Sequence, residues 1–235
     1  MHSDARPRRQ YRQVADQILA LIAAQGLRPG DRLPSERDLA EQMAVSRPSL
    51  REALIALEVD GRVEIRMGSG IYVTRPAPDT GAAIPGIEDS EGPLALLQAR
   101  ALLESAIAEE AARHVSPGFI ARLDDHLRQM GEAVHDRALA IRLDGAFHVE
   151  IAQATGNSVL AHFVATTFEQ RLTPIFARFS THFEGPRTWR LAISEHGAIR
   201  DAIVEADPAA AREAMRHHLT QSQRRFTDSL LAEPG

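Results

Sequence analysis

The sequence predicts a mainly α-helical protein in two parts: three helices and a hairpin, followed by an all-α bundle of six to seven helices. Three observations support this fold class. Apolar residues recur at spacings of three and four over most of the 235-residue chain. Apolar and polar residues alternate in one short stretch, residues 63–73. Residues 76–92 are rich in proline and glycine, which predicts a linker between the two parts.

Composition excludes several classes of protein. The chain has no cysteine, which rules out disulfides, thiolate catalysis and cysteine-ligated zinc. Hydrophobic residues make up 44% of the chain, enough for a sizeable core. No run approaches the ~18 consecutive apolar residues that a membrane-spanning helix needs. The arginine-rich N-terminus lacks the apolar run of a secretory signal, so we expect a cytoplasmic protein.

The N-terminal part contains the signals of three helices. Residues 8–25 have the apolar spacing of a helix that ends near its following glycine. Ser35 is the expected N-cap of a second helix, which runs to about Ala44. Ser46 is the expected N-cap of a third helix, which ends before Gly61.

A β-hairpin follows these helices. Residues 63–66 and 71–73 alternate in polarity, and glycines occupy the turn between them. Three helices and a hairpin in this order predict a winged helix-turn-helix, a DNA-binding domain, over residues 1–75. The net charge of −5 is unfavourable for binding DNA, but residues 1–75 carry 12 arginines against 10 acidic residues. DNA binding needs a basic patch and not a basic protein.

The stretch LPSERDLAEQMAVSRPSLREALIALEVDGRVEIRMGSGIYV resembles the DNA-binding domain of the GntR family of regulators. The resemblance implies that the helix after Ser46 enters the major groove and that the glycine-bearing wing lies in the minor groove. Arg47 and Arg51 lie one turn apart and so share a face, as bidentate guanine contacts or phosphate contacts require. The alternative is that these arginines are ordinary surface charges. The candidate DNA-binding residues are Arg37, Ser46, Arg47, Ser49, Arg51 and Gly68.

The C-terminal part, residues 93–235, is predicted to be helical throughout. Breaks are expected where proline or glycine follows a polar residue, as at Ser116-Pro117-Gly118 and Asp207-Pro208. The predicted helices lie near residues 93–114, 116–135, 138–155, 157–181, 187–206 and 208–231.

Four polar residues of this part fall on apolar helix faces. Asp144 and His148 are one turn apart, and His196 shares a stripe with two isoleucines. His218 shares a face with apolar residues, whereas the adjacent His217 shares a face with charged residues and should be solvated. Together Asp144, His148, His196 and His218 predict a divalent metal site with three imidazoles and one carboxylate. The alternative is that each histidine is a hydrogen-bonded core residue.

Residues 94–231 resemble the FCD ligand-sensing domain of the FadR-type GntR regulators. The resemblance rests on Asp144-x-x-Phe147-His148, then His196-x-x-Ile199, then a His-Leu pair at His218. It implies that the same four residues hold a metal, with zinc expected first and nickel, manganese or iron as alternatives. It also implies that Arg100 meets an anionic effector; the alternative partner is an internal glutamate. The candidate effector-binding residues are Arg100, Asn157, Arg171 and Trp189, although Asn157 is also placed to cap a helix.

The stretch GPLALLQARALLESAIAEEAA is similar to hexuronate-type regulators of sugar-acid catabolism. The resemblance implies a homodimeric repressor that binds an operator and responds to a uronate or a related aldonate. Chemistry alone supports a small hydroxylated carboxylate as the effector, so a sensor of lactate, gluconate or a tricarboxylate remains an alternative.

A metal-dependent hydrolase is a further alternative, since such a metal site can activate water. The sequence shows no general base paired with the site and no nucleophile motif. A DNA binder without a ligand is disfavoured by the polar interior.

Overall fold

The computed structural model describes residues 10–66, 69–74, 92–173, 176–178, 180 and 184–231. The chain divides into two compact units. Among the described residues, the first unit comprises residues 10–66, 69–74, 92–93, 173, 176–178 and 227–231, and the second comprises residues 94–172, 180 and 184–226. The predicted linker lies outside the described residues except for Gly92.

Three helices of the first unit begin and end close to the predicted residues. They are α1 (Gln10–Ala24), α2 (Glu36–Met43) and α3 (Arg47–Val59). The hydroxyl of Ser35 accepts a hydrogen bond from the amide of Asp38 at 3.2 Å. The hydroxyl of Ser46 accepts one from the amide of Ser49, also at 3.2 Å. Both predicted N-caps are therefore confirmed, and each satisfies a backbone donor that the helix itself leaves free.

A tight turn joins α2 to α3. Ala44 ends α2 with φ of 52° and ψ of 41°, the left-handed conformation, and its amide donates to the carbonyl of Ala40. Non-glycine residues adopt this conformation at a cost, usually where a helix must stop abruptly. The turn lets α3 start at Arg47, three residues later, as a helix-turn-helix requires.

The hairpin follows α3 directly and is confirmed. Strand β1 (Val63–Arg66) pairs antiparallel with β2 (Gly70–Val73), with Val63 opposite Val73. One face of the hairpin is buried with Ile18 and Leu54 in the core of this unit. The first unit is therefore the predicted winged helix-turn-helix.

The second unit is an all-α bundle, as predicted. Its helices are α4 (Pro93–Ala111), α5 (Pro117–Glu132), α6 (Arg137–Ala154), α7 (Ser158–Glu169), α8 (Pro186–Val204) and α9 (Pro208–Leu231). Helix α6 packs against both α5 and α7. Phe147 and Ile151 of α6 are almost completely buried, together with Ile203 of α8 and Leu219 of α9. Polar side chains on the inner face of α6 are therefore held inside the bundle.

The prediction of one long helix over residues 157–181 is wrong. Helix α7 ends at Glu169, and a single turn of 3-10 helix, Gln170–Leu172, follows it. Pro174 explains the end, because a proline disfavours helical geometry in the residue before it and cannot donate to a helical hydrogen bond. None of the described helices is both long enough and apolar enough to cross a membrane.

Candidate metal and effector site

The structure brings the four predicted metal ligands together. Asp144 and His148 project from α6, His196 from α8 and His218 from α9, and all four are buried. One ligand atom from each lies within 4.8 Å of those from the other three. His217, by contrast, is exposed, as the sequence predicts. Three helices far apart in sequence thus converge on one small group of donors.

Two glutamates, Glu104 buried and Glu195 half-buried, orient two of the imidazoles. Nδ1 of His148 lies 2.5 Å from Oε2 of Glu104, and Nδ1 of His218 lies 2.8 Å from Oε2 of Glu195. A carboxylate this close to Nδ1 favours the proton on that atom, which leaves Nε2 as a lone-pair donor. Carboxylate–histidine pairs of this kind commonly fix the ring and tautomer of metal-binding histidines.

The Nε2 atoms of the histidines lie close together, as the ligands of one cation must. Nε2 of His148 lies 3.1 Å from Nε2 of His196, and the latter lies 3.2 Å from Oδ1 of Asp144. When His148 carries its proton on Nδ1, its Nε2 has only a lone pair to offer. Lone pairs and a carboxylate at these distances repel one another unless a proton or a cation lies between them. The donor set therefore fits a divalent metal such as zinc, nickel, manganese or iron.

The protonation states of the histidines also favour a metal site. Burial, reinforced by the neighbouring His196, lowers the pKa of His218 to about 3. Burial likewise lowers the pKa of His148, although Glu104 opposes the shift. Burial alone would raise the pKa of Glu104, but Arg100 and His148 outweigh it and hold this pKa at about 2. At neutral pH His148 and His218 are therefore neutral imidazoles, the form that binds metal ions.

Three arginines surround the ligands, each paired with a carboxylate. Arg100 donates through Nε to Glu104 at 2.6 Å, and both side chains are buried. This confirms the alternative of an internal glutamate partner, while Arg100 still lines the adjoining cavity.

The other two arginines also bind carboxylates. Arg171 donates to Asp144 and, through Nη2, to Glu184 at 2.8 Å. Arg225 donates through both Nη atoms to the two oxygens of Glu195, at 2.6 and 3.0 Å. A bidentate guanidinium of this kind holds a carboxylate in a fixed plane.

A cavity that is open to solvent adjoins the ligand cluster. Three of the four predicted effector residues are close to it: Arg100, Arg171 and Trp189 all line its wall. The other lining residues are Asp144, Glu184, Thr188, Ala192, His218, Ser222 and Arg225. Charged, hydroxyl-bearing and aromatic side chains in one small cavity suit a polar anion.

Asn157 is the predicted effector residue that the structure does not bring to the cavity. It is exposed, and its Oδ1 accepts hydrogen bonds from the amides of Val159 and Leu160, at 3.0 and 3.4 Å. Its assignment as an effector contact is corrected to the N-cap of α7. Its place directly after Gly156 is the usual position of such a cap.

The predicted DNA-binding side chains differ in how accessible they are. Arg37 is 76% exposed and lies 3.8 Å from Asp38, an arrangement that leaves it available to a phosphate. Arg47 is half-buried, and its Nε has no hydrogen-bond partner among the residues described. Arg51 is only 7% exposed and lies 3.6 Å from Glu36, so a base contact would require it to leave that glutamate.

The two serines form a local pair. Ser46 is exposed, whereas Ser49 is buried, and their hydroxyls lie 2.8 Å apart. Ser49 therefore faces the capping hydroxyl in this structure. Gly68, the remaining predicted residue, lies outside the described residues.

Two arginines outside the predicted DNA-binding set, Arg66 and Arg32, pack on the hairpin, and Arg66 is also paired with Glu64 at 2.8 Å. The guanidinium of Arg66 lies 4.5 Å from the ring centre of Tyr72. Arg32 packs over Gly70, where an added Cβ would lie 2.6 Å from its Nε, and Gly70 has φ of +123°. Gly70 therefore permits the close approach of an arginine.

Family comparisons agree with both units. Residues 10–73 match the family described as bacterial regulatory proteins, gntR family, and residues 95–221 match the FCD domain. The chain belongs to the GntR family. The family and two-domain organisation implied by the sequence resemblance are confirmed.

Similar proteins extend the comparison over nearly the whole chain. The Uxu operon transcriptional regulator of Escherichia coli K12 is 34% identical over 97% of this chain and 91% of its own. The Exu regulon transcriptional regulator of the same organism is 38% identical, covering 92% and 84%. LutR of Bacillus subtilis, an HTH-type transcriptional regulator, is 34% identical, covering 83% and 90%. This GntR-family chain is therefore a DNA-binding transcription regulator and not a hydrolase.

Solved structures support the fold. Escherichia coli McbR/YncC has a TM-score of 0.52 at 19% identity, covering 97% of this chain and 99% of that one. A GntR family member from Pseudomonas syringae has a TM-score of 0.52 at 20% identity, covering 94% and 86%. At these identities the likeness concerns the fold alone.

Proposed function

We propose that this regulator is a homodimeric repressor whose helical unit binds a divalent metal and a small hydroxylated carboxylate, a hexuronate or a related sugar acid. The observation that carries the proposal is the buried cluster of one aspartate and three histidines opening on an arginine-lined cavity. The similarity to regulators of the Uxu operon and Exu regulon supports the choice of sugar acids.

The proposed metal ligands are Asp144, His148, His196 and His218. A bound divalent ion would supply concentrated positive charge for an anionic ligand. The chain itself keeps His148 and His218 neutral, fixes both rings through Glu104 and Glu195, and excludes bulk water from the cluster. Arg100, Arg171 and Trp189 give the cavity wall a cationic and aromatic lining toward the effector.

Regulation requires that the effector bind one arrangement of the dimer better than another. A dimer places two winged units on the two halves of a pseudo-palindromic operator, one helical turn or a multiple of it apart. An effector that favours a spacing of the α3 helices unsuited to the half-sites releases the DNA. Sedimentation of the protein with and without operator tests the dimer.

Wild-type protein, purified without a His-tag or chelator, should contain one divalent ion per chain by elemental analysis. Calorimetry should then show binding of D-glucuronate, D-galacturonate or an aldonate, with lactate and citrate as comparison ligands. Removing the metal should weaken that binding, because the cavity loses its strongest positive charge. Absence of metal, or binding of lactate or citrate in preference to every sugar acid, would contradict the proposal.

Replacing Arg37 with alanine should weaken binding to an operator selected from a random-sequence DNA pool. Because Arg37 is exposed and suited to a phosphate, the slope of log affinity against log salt should fall by about one per bound chain. Arg128→Ala is the matched control, since Arg128 is also exposed and paired with acidic neighbours, but lies on α5. An unchanged slope for Arg37→Ala in a fluorescence-anisotropy titration would remove Arg37 from the DNA interface.

A further inference from the structure

Two buried polar atoms in the wall of the cavity have no hydrogen-bond partner among the residues that the structure describes. The side chain of Glu184 is 7% exposed; its Oε1 accepts from Arg171, whereas its Oε2 has no partner in the described part of the chain. Trp189 is 5% exposed, and its Nε1 is likewise unpartnered there. Both residues line the cavity beside the proposed metal ligands.

Unsatisfied buried polar groups are costly and uncommon in native proteins, so such a pair in a cavity wall points to a ligand that completes it. The two atoms require opposite kinds of hydrogen-bond partner. The indole Nε1–H can only donate, and an ionised carboxylate can only accept. A hydroxyl group satisfies either atom, whereas a ligand carboxylate satisfies Trp189 and repels Glu184.

Arg171 does not cancel this repulsion. Its guanidinium is shared between Glu184 and Asp144. Even with the added attraction of Arg137, burial raises the pKa of Glu184, so the positive charge around this carboxylate does not fully offset its desolvation. Thr188 and Ser222, the hydroxyl-bearing residues of the same wall, carry no charge that would compensate. The wall around Glu184 is therefore suited to a hydroxyl end of a ligand and unsuited to a carboxylate end.

We propose that Glu184 selects sugar acids with a single carboxylate, accepting a hydrogen bond from a ligand hydroxyl and excluding ligands that carry a second carboxylate. The inference rests on the proposed function, since it concerns the same cavity. Selection here combines a favourable contact for one ligand with an unpaired charge against the other, a general route to specificity. Trp189 completes the arrangement by donating to any ligand oxygen and so does not discriminate.

The test uses metal-loaded full-length protein and calorimetry with D-gluconate, D-glucuronate and D-glucarate. D-gluconate and D-glucarate share a six-carbon polyhydroxyl chain and differ only in a terminal hydroxymethyl or carboxylate. The wild type should bind the tighter of the two monoacids at least about tenfold more strongly than D-glucarate, the loss expected from one unpaired charged contact.

Glu184→Gln should reduce that preference by at least about tenfold, because the amide can donate to the second carboxylate. Trp189→Phe should weaken all three acids alike and leave the preference unchanged. Glu213→Gln is the matched control, since Glu213 is exposed and pairs with Arg216 on α9, outside the cavity lining.

The outcomes separate this inference from the proposed function. Binding of none of the three acids, with metal present, would count against the sugar-acid effector itself. Equal binding of monoacid and diacid by the wild type would overturn the role of Glu184 while leaving the effector class intact. An unchanged preference for the monoacid in Glu184→Gln would also overturn the role of Glu184 and leave the effector class intact. The comparison of monoacid and diacid binding by the wild type tests the role of Glu184 even if Glu184→Gln does not fold.

Discussion

Replacing Arg100 with methionine should lower the free energy of unfolding of the helical unit by about 3–5 kcal/mol, the usual cost of leaving one member of a buried ion pair alone. Arg100 and Glu104 are 1% and 2% exposed, one turn apart on α4. The variant leaves the carboxylate of Glu104 buried without its strongest compensating charge. It also removes a guanidinium whose carbon lies 3.9 Å from the ring centre of Phe168.

The double variant Arg100→Met, Glu104→Gln should recover much of this loss. A glutamine is neutral, so no charge is left uncompensated, and its amide oxygen can still accept from Nδ1 of His148. The two single variants and the double variant form a cycle that measures the coupling between the residues. Additive effects would contradict the ion-pair explanation.

Trp189 makes the measurement specific to the helical unit, because it is the only tryptophan of the chain and is buried there. Its fluorescence during urea unfolding reports that unit and not the winged one. Arg113→Met is the matched control: Arg113 is an exposed arginine that also pairs with glutamates of α4, Glu109 and Glu110. It should change the midpoint little. A similar loss in both variants would show that burial of the pair is unimportant.

Helical periodicity predicted much of the candidate metal site. Asp144 and His148 are one turn apart, and neighbouring helix positions such as His217 and His218 point about 100° apart. That angle buries one histidine and exposes the other. The same reasoning could have found Arg225, which lies two turns after His218 and next to the cavity. It could also have found Glu104, one turn after Arg100 on α4.

Other features depend on tertiary structure that local patterns do not encode. Glu195 meets His218 only because α8 packs beside α9, and no spacing within either helix indicates the pair. Glu184 precedes α8 in a segment without periodicity, so nothing local marks it as a cavity residue. The burial of Arg51 beside Glu36 likewise depends on how α2 meets α3. The end of α7, by contrast, can be predicted from the sequence alone, because Pro174 disfavours a continuous helix through this region.

Replacing His218 with alanine should abolish stoichiometric metal binding, whereas His217→Ala should leave it unchanged. The two residues are adjacent on α9, but one is buried among the proposed ligands and the other is exposed. The pair therefore separates loss of a ligand from a general effect of changing this helix. Metal content by elemental analysis and affinity by competition with a chelating dye are the measurements. Equal metal content in both variants would remove His218 from the site.

Glu195→Gln should give an intermediate result, lowering metal affinity about 10- to 100-fold, as is usual when the partner of a ligating histidine is changed. Glu195 accepts from Nδ1 of His218 at 2.8 Å and is fixed by both Nη atoms of Arg225. Glutamine keeps the shape of the side chain but loses the charge that stabilises the Nδ1 proton of His218 and makes its Nε2 a stronger donor.

Arg225 also lines the cavity, so an effector that draws Arg225 away from Glu195 would change the affinity for metal. Because such coupling is reciprocal, the metal dependence of sugar-acid affinity should shrink in Glu195→Gln. An unchanged metal dependence would confine Glu195 to a structural role.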